Sequence, residues 1–441
     1  MPPQNNPGAR HVPVPGAGAT LEQWLGYLES IHPSEIDLGL DRVLLVLRRL
    51  FRRNPGARII TVAGTNGKGS AVAAIEKLLI RTGRSTGAYT SPHLQVYNER
   101  VRINGVDASD EQLVRAFEQV EVARKDTTLT YFEFGTLAAF VLFQEAGVDN
   151  WVLEVGLGGR LDAVNVLDPD LVIITSVDID HVSFLGDNRE VIGFEKAGIL
   201  RPGIPAVYAD IDPPASVLQQ VAAQKVQLER PGESYHLVPS DAFDEPVGGV
   251  WLEQARYGDR VFIPDTGLPS HSLAAAIVAI RQLEPELELP VIEQVIAGLT
   301  LPGRYEVLRS APLVVVDVGH NPHAARWLAA RLSCQGDAAG RVIAVYAALA
   351  DKDVEGVAGA MAPVVDEWHL AGLDVARGLT CHELADRIGG ALRQPVASIS
   401  SSVAEALHKA VGGAGPHDRV VVFGSFYTVA AARVELGKDM S

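Results

Sequence analysis

Arg58-Ile-Ile-Thr-Val-Ala-Gly-Thr-Asn-Gly-Lys-Gly-Ser70 runs from β-branched residues through three glycines to a lysine and a serine. Ile59, Ile60 and Val62 read as a buried strand, Gly64, Gly67 and Gly69 as a tight turn, and Ala71 to Leu79 as the apolar face of a helix. Such a turn at a helix N-terminus is an anion site, because free backbone N–H groups and the helix dipole both favour phosphate. Gly64, Thr65, Asn66, Gly67, Lys68, Gly69 and Ser70 are therefore the candidate phosphate-binding loop. Lys68 supplies a point charge for the β/γ-phosphates, and the Ser70 hydroxyl suits Mg²⁺. The common phosphate-loop pattern has a further glycine where Val62 stands.

Outward from this stretch, strands alternate with helices. Strand-like runs fall at 58–63, 85–89, 151–155, 171–177 and 206–208, and helical stretches at 70–82, 109–124 and 135–145. Apolar strands separated by helices predict a mostly parallel sheet covered on both faces. Upstream, Leu21, Trp24, Leu25, Leu28 and Ile31 share a helical face, Thr20 and Gln23 form a capping pair, and a second helix starts at Asp41. Residues 212–269, broken by proline, glycine and charge, read as a small antiparallel excursion, and a helix at 272–283 follows. Leu301-Pro-Gly303 marks a linker. A second alternating unit then has strands at 313–318, 342–346, 367–370 and 419–423 and its first helix at 324–332. The expected fold is α/β, with an N-terminal phosphate-loop ATPase domain (20–300) and a smaller C-terminal Rossmann-like α/β domain (301–441). Residues 1–19, rich in proline and glycine, are expected to be a disordered tail.

The net charge of −16 argues against nucleic acid and anionic membranes as partners. It also opposes an anionic substrate such as ATP, so local cations must reverse the field inside the cleft. Cys334 and Cys381 fit no metal or disulfide spacing and read as reduced core thiols. No apolar run reaches membrane-spanning length, and the first residues lack the apolar core of a secretory signal, so a cytoplasmic location is expected.

Ligands of open parallel sheets bind beyond the carboxyl ends of the strands. Glu154 stands at such an end, before Gly156, Gly158 and Gly159, and with Ser70 would suit a Mg²⁺ that keeps most of its waters. His181 follows the next strand; by itself it is equally a metal ligand or an ordinary hydrogen-bonded histidine, with Asp178 and Asp180 at hand to orient it. Ser91 follows the strand at 85–89 and could reach the same cation. The stripe Tyr131-Phe-Glu-Phe134 reads first as core packing, with stacking on a flat ring as the alternative. Arg304 lies at the linker, where a guanidinium meets phosphate only when two domains approach. Asp317 and His320 follow the first strand of the second unit.

The loop resembles that of the Mur ligase superfamily, and within it the folylpolyglutamate synthases, often bifunctional with dihydrofolate synthase. The resemblance recurs at Ile36-Asp-Leu-Gly-Leu-Asp-Arg-Val43, Ser91-Pro-His-Leu94, Leu153-Glu-Val-Gly-Leu-Gly-Gly-Arg-Leu-Asp162, Ser176-Val-Asp-Ile-Asp-His181, Glu195-Lys-Ala-Gly198, Pro302-Gly-Arg304, Asp317-Val-Gly-His-Asn-Pro322, Asp351-Lys-Asp353 and Gly424-Ser-Phe426. These motifs span nearly the whole chain in order.

The resemblance implies an ATP-dependent ligase that activates a carboxylate as an acyl phosphate and joins it to L-glutamate, the acceptor being dihydropteroate or a reduced folate. It implies two Mg²⁺ ions, one at Glu154 with Ser70 and Ser91 and one at His181. It further implies a carbamylated Lys196, catalytic parts for Lys68, His181, Lys196 and His320, and nucleotide contacts for Arg304 and Asp317. A monomer is expected. The chain departs from the family at Ser272, where an asparagine is usual. A serine can cap the helix there but lacks the two-sided contact of an amide, and the adjacent His271 is a possible substitute. A monofunctional folylpolyglutamate synthase, another Mur-type amide ligase and, more distantly, a phosphate-loop switch are the competing readings.

Overall fold

The computed structural model describes residues 13–32, 34, 36–53, 55–240, 248–333 and 340–439. Most of the expected disordered tail, and Cys334, lie outside the described residues.

The first sheet has eight strands: β1 (Arg58–Ala63), β2 (Thr86–Tyr89), β3 (Val101–Ile103), β4 (Val106–Asp107), β5 (Asn150–Glu154), β6 (Leu171–Ile174), β7 (Pro205–Tyr208) and β8 (Gln227–Glu229). Their order is β4-β3-β2-β5-β1-β6-β7-β8, parallel from β2 to β8 with an antiparallel edge at β3 and β4. In register, Val62 lies opposite Glu154 and Ala63 opposite Ile174, so the carboxyl ends of β5, β1 and β6 finish level. Ile60, Val62 and Val152 pack on one face against helices Lys68–Arg81 and Ser270–Leu283. Ile59, Trp151 and Leu153 pack on the other, against helix Tyr131–Ala146. An unbroken apolar run thus serves two cores by strict alternation.

Two helices begin earlier than the apolar spacing suggests. Lys68 already belongs to the helix after the glycine turn. The aromatic stripe forms the first turn of helix Tyr131–Ala146, capped by a reciprocal Thr130/Glu133 box. Thr20 and Gln23 make the expected box at helix Leu21–Ser30.

The antiparallel excursion is smaller than expected. It comprises β9 (Tyr235–Pro239), β10 (Gly249–Gln254) and β11 (Asp259–Pro264), in the order β11-β10-β9. The preceding chain instead forms helix Ala215–Gln224 and then β8, which adds in parallel to the main sheet. That helix buries only Val217 completely, so its sequence carries little apolar period.

The second sheet contains β12 (Glu306–Ser310), β13 (Leu313–Asp317), β14 (Val342–Tyr346), β15 (Glu367–Ala371), β16 (Val396–Ser400) and β17 (Arg419–Phe423), ordered β12-β13-β17-β14-β15-β16. All its pairings are parallel except β12 with β13. β12 and β16 escaped the sequence reading because both are half-exposed edge strands without a continuous apolar run. Cys381 is a correction to the expectation of core thiols: it is only half-buried, at the start of helix Cys381–Ile388. Among the described residues no helix is long and apolar enough to cross a membrane.

Candidate active site

The glycine turn links β1 to helix Lys68–Arg81. Gly64 and Gly67 have φ of +152° and +81°. A Cβ at Gly64 would fall 1.8 Å from Thr175 Oγ1, and one at Gly67 2.2 Å from Ser272 Oγ, so both glycines are required by close approach as well as by conformation. The end of β6 holds the turn: Thr65 N donates to Ser176 O (2.8 Å), Asn66 N to Ser176 Oγ (3.1 Å) and Thr175 Oγ1 to Asn66 O (2.6 Å). Gly67 caps the helix without a side-chain acceptor, which leaves the first N–H groups open to a ligand. Lys68 Nζ curls back over the turn to Gly64 O (3.1 Å) and Thr65 O (3.3 Å).

Ser70 is 1% exposed, and its hydroxyl has no hydrogen-bond partner among the described residues. A buried orphan hydroxyl is costly unless something occupies its free valence. Glu154, the last residue of β5, is also buried. Its Oε2 accepts from Ser91 N (3.2 Å) and would lie 3.9 Å from a Cβ on Gly69, one residue before Ser70. Burial raises the pKa of Glu154, against the opposing pull of Lys68. Ser70, Ser91 and Glu154 thus line the same cleft. Among the described residues no three His, Cys, Asp or Glu side chains form a ready-made metal cage. A cation here would have few protein ligands, which fits Mg²⁺ completed by phosphate and water.

His181 follows β6 with a left-handed φ of 53°. Burial lowers its pKa to about 4, so it is a neutral imidazole at pH 7 and able to act as a ligand. Lys196 is 4% exposed; burial, and then the charge of Lys68, lower its pKa to about 7, with no hydrogen bond contributing. Asp162, fully buried and not among the residues lining the cleft, holds the loop after β5: burial raises its pKa to about 6, against donation from Leu157 N (2.9 Å) and Val164 N (3.0 Å).

The second unit supplies the opposite wall. Asp317 ends β13 and accepts from Tyr305 N (2.9 Å) and Gly319 N (2.7 Å), while burial raises its pKa. Arg304 lies over the Phe426 ring at 4.9 Å and reaches Gly303 O at 3.4 Å. Burial lowers its pKa, and the carboxylates of Asp317 and Glu154, one from each unit, oppose that. His320 holds Val318 O through Nδ1 (3.0 Å) and places Nε2 3.3 Å from Asp180 Oδ2. Burial disfavours the Asp180 carboxylate, but the hydrogen bond and charge of His320 and the charge of Lys352 outweigh it, holding the group well below the usual carboxylate range.

The residues of the Gly64–Ser70 turn, Ser91, Glu154, His181, Lys196, Arg304, Asp317 and His320 all line one cleft of about 330 Å³, together with Asp178, Asp180, Asp210, His271, Ser272 and His323, whereas Tyr131, Phe132 and Phe134 are not among its lining residues. Asp178 and Asp180 do not orient the His181 ring as expected. Asp178 pairs with Arg326 (3.0 Å), and Asp180 accepts from the His181 backbone N (2.7 Å), not from its ring, and bonds across the cleft. Ser272 does not cap its helix; it sits inside the first turn with its hydroxyl against Gly67, and Pro269 is the cap. In the aromatic stripe, Phe134 is core, packed on Phe117 at 5.8 Å. Phe132 is half-buried, with its ring 2.6 Å from where a Cβ on Gly156 would stand.

Residues 62–228 match the family model described as the Mur ligase middle domain, and residues 303–426 the one described as the Mur ligase glutamate ligase domain. The chain is 39% identical to the dihydrofolate synthase/folylpolyglutamate synthase of Escherichia coli (strain K12), over 95% of this chain and 96% of the relative. To the protein of the same description from Mycobacterium tuberculosis it is 31% identical, over 99% and 98%. Among solved structures it is similar to E. coli FolC in complex with DHPP and ADP, with a TM-score of 0.90, 38% identity and 97% and 100% of the two chains covered. It is also similar to the bifunctional folylpolyglutamate synthase/dihydrofolate synthase from Yersinia pestis complexed with AMPPNP and Mn ion, at 0.87, 40%, 96% and 100%.

Proposed function

The chain belongs to the dihydrofolate synthase/folylpolyglutamate synthase family of Mur ligases, and we propose that its cleft joins L-glutamate to dihydropteroate and to the glutamate tail of reduced folates at the expense of ATP. It is an ATP-dependent carboxylate–amine ligase. Residues 20–300 act as the ATP-binding domain and 301–441 as the glutamate-side domain, working as a monomer. The observation that carries this reading is the buried, unpartnered Ser70 hydroxyl beside Glu154 and the open helix N-terminus, walled in by Asp317, Arg304 and His320.

Oxide is a poor leaving group and phosphate a good one, so the acceptor carboxylate is activated as an acyl phosphate before the glutamate amine attacks. The reactants are largely anionic, and the chain's task is positioning and neutralisation. The Gly64–Ser70 turn binds phosphates through its N–H groups, and Lys68 adds charge at the transferred group. Ser70, Ser91 and Glu154 would hold one divalent cation and His181 a second; such a cation neutralises the phosphate oxygens. Arg304 and His320 bring positive or donor groups from the opposite wall. Closure of the two units excludes water from the activated carboxylate. The half-buried Phe132 ring packs behind Gly156 of the cleft wall and would flank the acceptor there.

Lys196 fits carbamylation. A buried lysine with its pKa drawn toward 7 is largely neutral at slightly alkaline pH, and a neutral amine can attack CO₂ and release a proton, leaving an anionic carbamate. The carbamate would support the cations and their ligands. Its signature is a ¹³C carbamate resonance after incubation with labelled bicarbonate, absent in Lys196→Met.

The deciding experiment follows ADP release and product mass with ATP, Mg²⁺ and glutamate, adding dihydropteroate, tetrahydrofolate or neither. Glutamylated product from both acceptors is expected. Product from tetrahydrofolate alone would reduce the enzyme to a polyglutamylating ligase, and product from neither would overturn the folate reading.

A further inference from the structure

Asp180 follows β6 in the first unit, yet apart from the adjacent His181 N, which donates to its Oδ1 at 2.7 Å, its side-chain partners come from the second. Its Oδ1 accepts from Lys352 Nζ at 2.7 Å, and its Oδ2 accepts from Asn321 Nδ2 at 3.0 Å and lies 3.3 Å from His320 Nε2. The side chains of Lys352 and Asp180 are only 7% and 8% exposed. The Lys352 backbone is pinned: Asp353 caps helix Val354–Met361 through Gly356 N (2.9 Å), and Arg387 donates to Ala350 O (3.0 Å) and Lys352 O (3.1 Å). Asn321 also exchanges two amide hydrogen bonds with Asn66 in the phosphate loop, at 3.1 and 3.0 Å. One hydrogen-bonded set therefore joins the glycine turn, the segment leading into His181 and two separate loops of the second unit.

A buried ion pair is a poor source of stability, because desolvation offsets most of the attraction. It is strict about geometry, however. A shift of an ångström or two between the units would strand two buried charges and two amides at once. Units joined by a short linker otherwise move by default. We propose that Asp180, with Lys352 and Asn321, is a positioning latch that sets the closed placement of the two units and makes the phosphate loop sense it.

The latch rests on the ligase reading above, and its service there is to keep water from the acyl phosphate. Where closure is loose, water attacks the acyl carbon and the bond from that carbon to the bridging phosphate oxygen breaks. Free carboxylate, inorganic phosphate and a proton result, so ATP is spent without ligation.

The test uses the full chain and the variants Asp180→Asn, Lys352→Met and their double. Its readouts are turnover, KM for ATP, melting temperature and ADP released per glutamylated product. Each single variant is expected to lower turnover by roughly 10- to 100-fold, to leave KM for ATP within about threefold, and to raise the ADP-to-product ratio above one. The double variant should be no worse than the worse single, because both remove one contact. A ratio that stays at one, or losses that multiply in the double, overturns the latch. If these variants do not fold, Asn321→Ala keeps the ion pair and carries the test: a ratio above one supports the latch, and a ratio of one overturns it. Absence of any glutamylated product from the unaltered chain overturns the ligase reading instead, which keeps the two failures apart.

Discussion

Ser70 follows β1 and Asp317 ends β13, so each stands beyond the carboxyl end of a parallel strand, facing the other across one cleft. Their surroundings differ in kind. On the first wall the groups around the phosphate loop are left open: the Ser70 hydroxyl has no partner among the described residues, Lys196 is buried without a hydrogen bond contributing to its shifted pKa, and Lys68 holds only carbonyls of its own turn. On the second wall they are spoken for. Asp317 accepts two backbone N–H groups, and Asn321 and Lys352 are bonded to the first unit. Open valences in a buried place mark where a ligand belongs, whereas satisfied ones mark where a wall is held in shape.

On that contrast, Lys68→Ala should break chemistry and spare the fold. Its expected effect is the largest, a loss of turnover of about 10³-fold with an unchanged melting temperature. Asp317→Ala should do the reverse in part. It leaves the N–H groups of Tyr305 and Gly319 without their acceptor in a buried place, and about 3 kcal/mol of stability should disappear from urea unfolding. A melting temperature that falls for Lys68→Ala and holds for Asp317→Ala would exchange the two roles.

Lys196→Met sharpens the comparison through pH. The folded amine releases its proton near pH 7 and the unfolded one near its ordinary value of 10.5, so within that window unfolding takes up a proton. The unaltered chain therefore gains stability as pH rises from 7 toward 10.5, and below 7 the full burial cost remains. The methionine variant lacks this slope, so its advantage should shrink by about 2 kcal/mol between pH 7 and 9 in bicarbonate-free buffer. Parallel pH curves for the two proteins would mean that Lys196 does not titrate as a free amine. The smallest effect is expected at Glu154→Gln, a rise of roughly tenfold in the Mg²⁺ needed for half-maximal rate. An unchanged magnesium titration would move the cation away from the first wall.

Much of this was legible beforehand where a local rule acts alone. The β1 strand, its glycine turn and the helix behind it follow from β-branching, positive φ and apolar spacing within a dozen residues. The Thr20 and Gln23 box needs only three residues of separation. Helix Ala215–Gln224 and the edge strands β12 and β16 were hidden, because their faces are mostly polar and tertiary pairing, not pattern, holds them. The start of helix Tyr131–Ala146 was hidden by a cap that recruits aromatics into its first turn.

The sequence by itself determined the alternation of strands and helices, the anion-binding turn, and the identity of the charged and hydroxyl side chains that line the cleft, because each follows from chemistry carried within a short segment. Only the tertiary structure decided which of those groups are left open and which are paired. Asp180 meets Lys352, 172 positions later, and Asn66 meets Asn321, 255 positions later, and no local pattern encodes a contact across such a separation. The same holds for the shifted pKa values of Lys196 and His181. They arise from burial in low dielectric beside particular charges, which for Lys196 are Lys68, Asp180 and Asp162 and for His181 include Lys352 and His320 of the second unit, and that surrounding exists only in the folded chain.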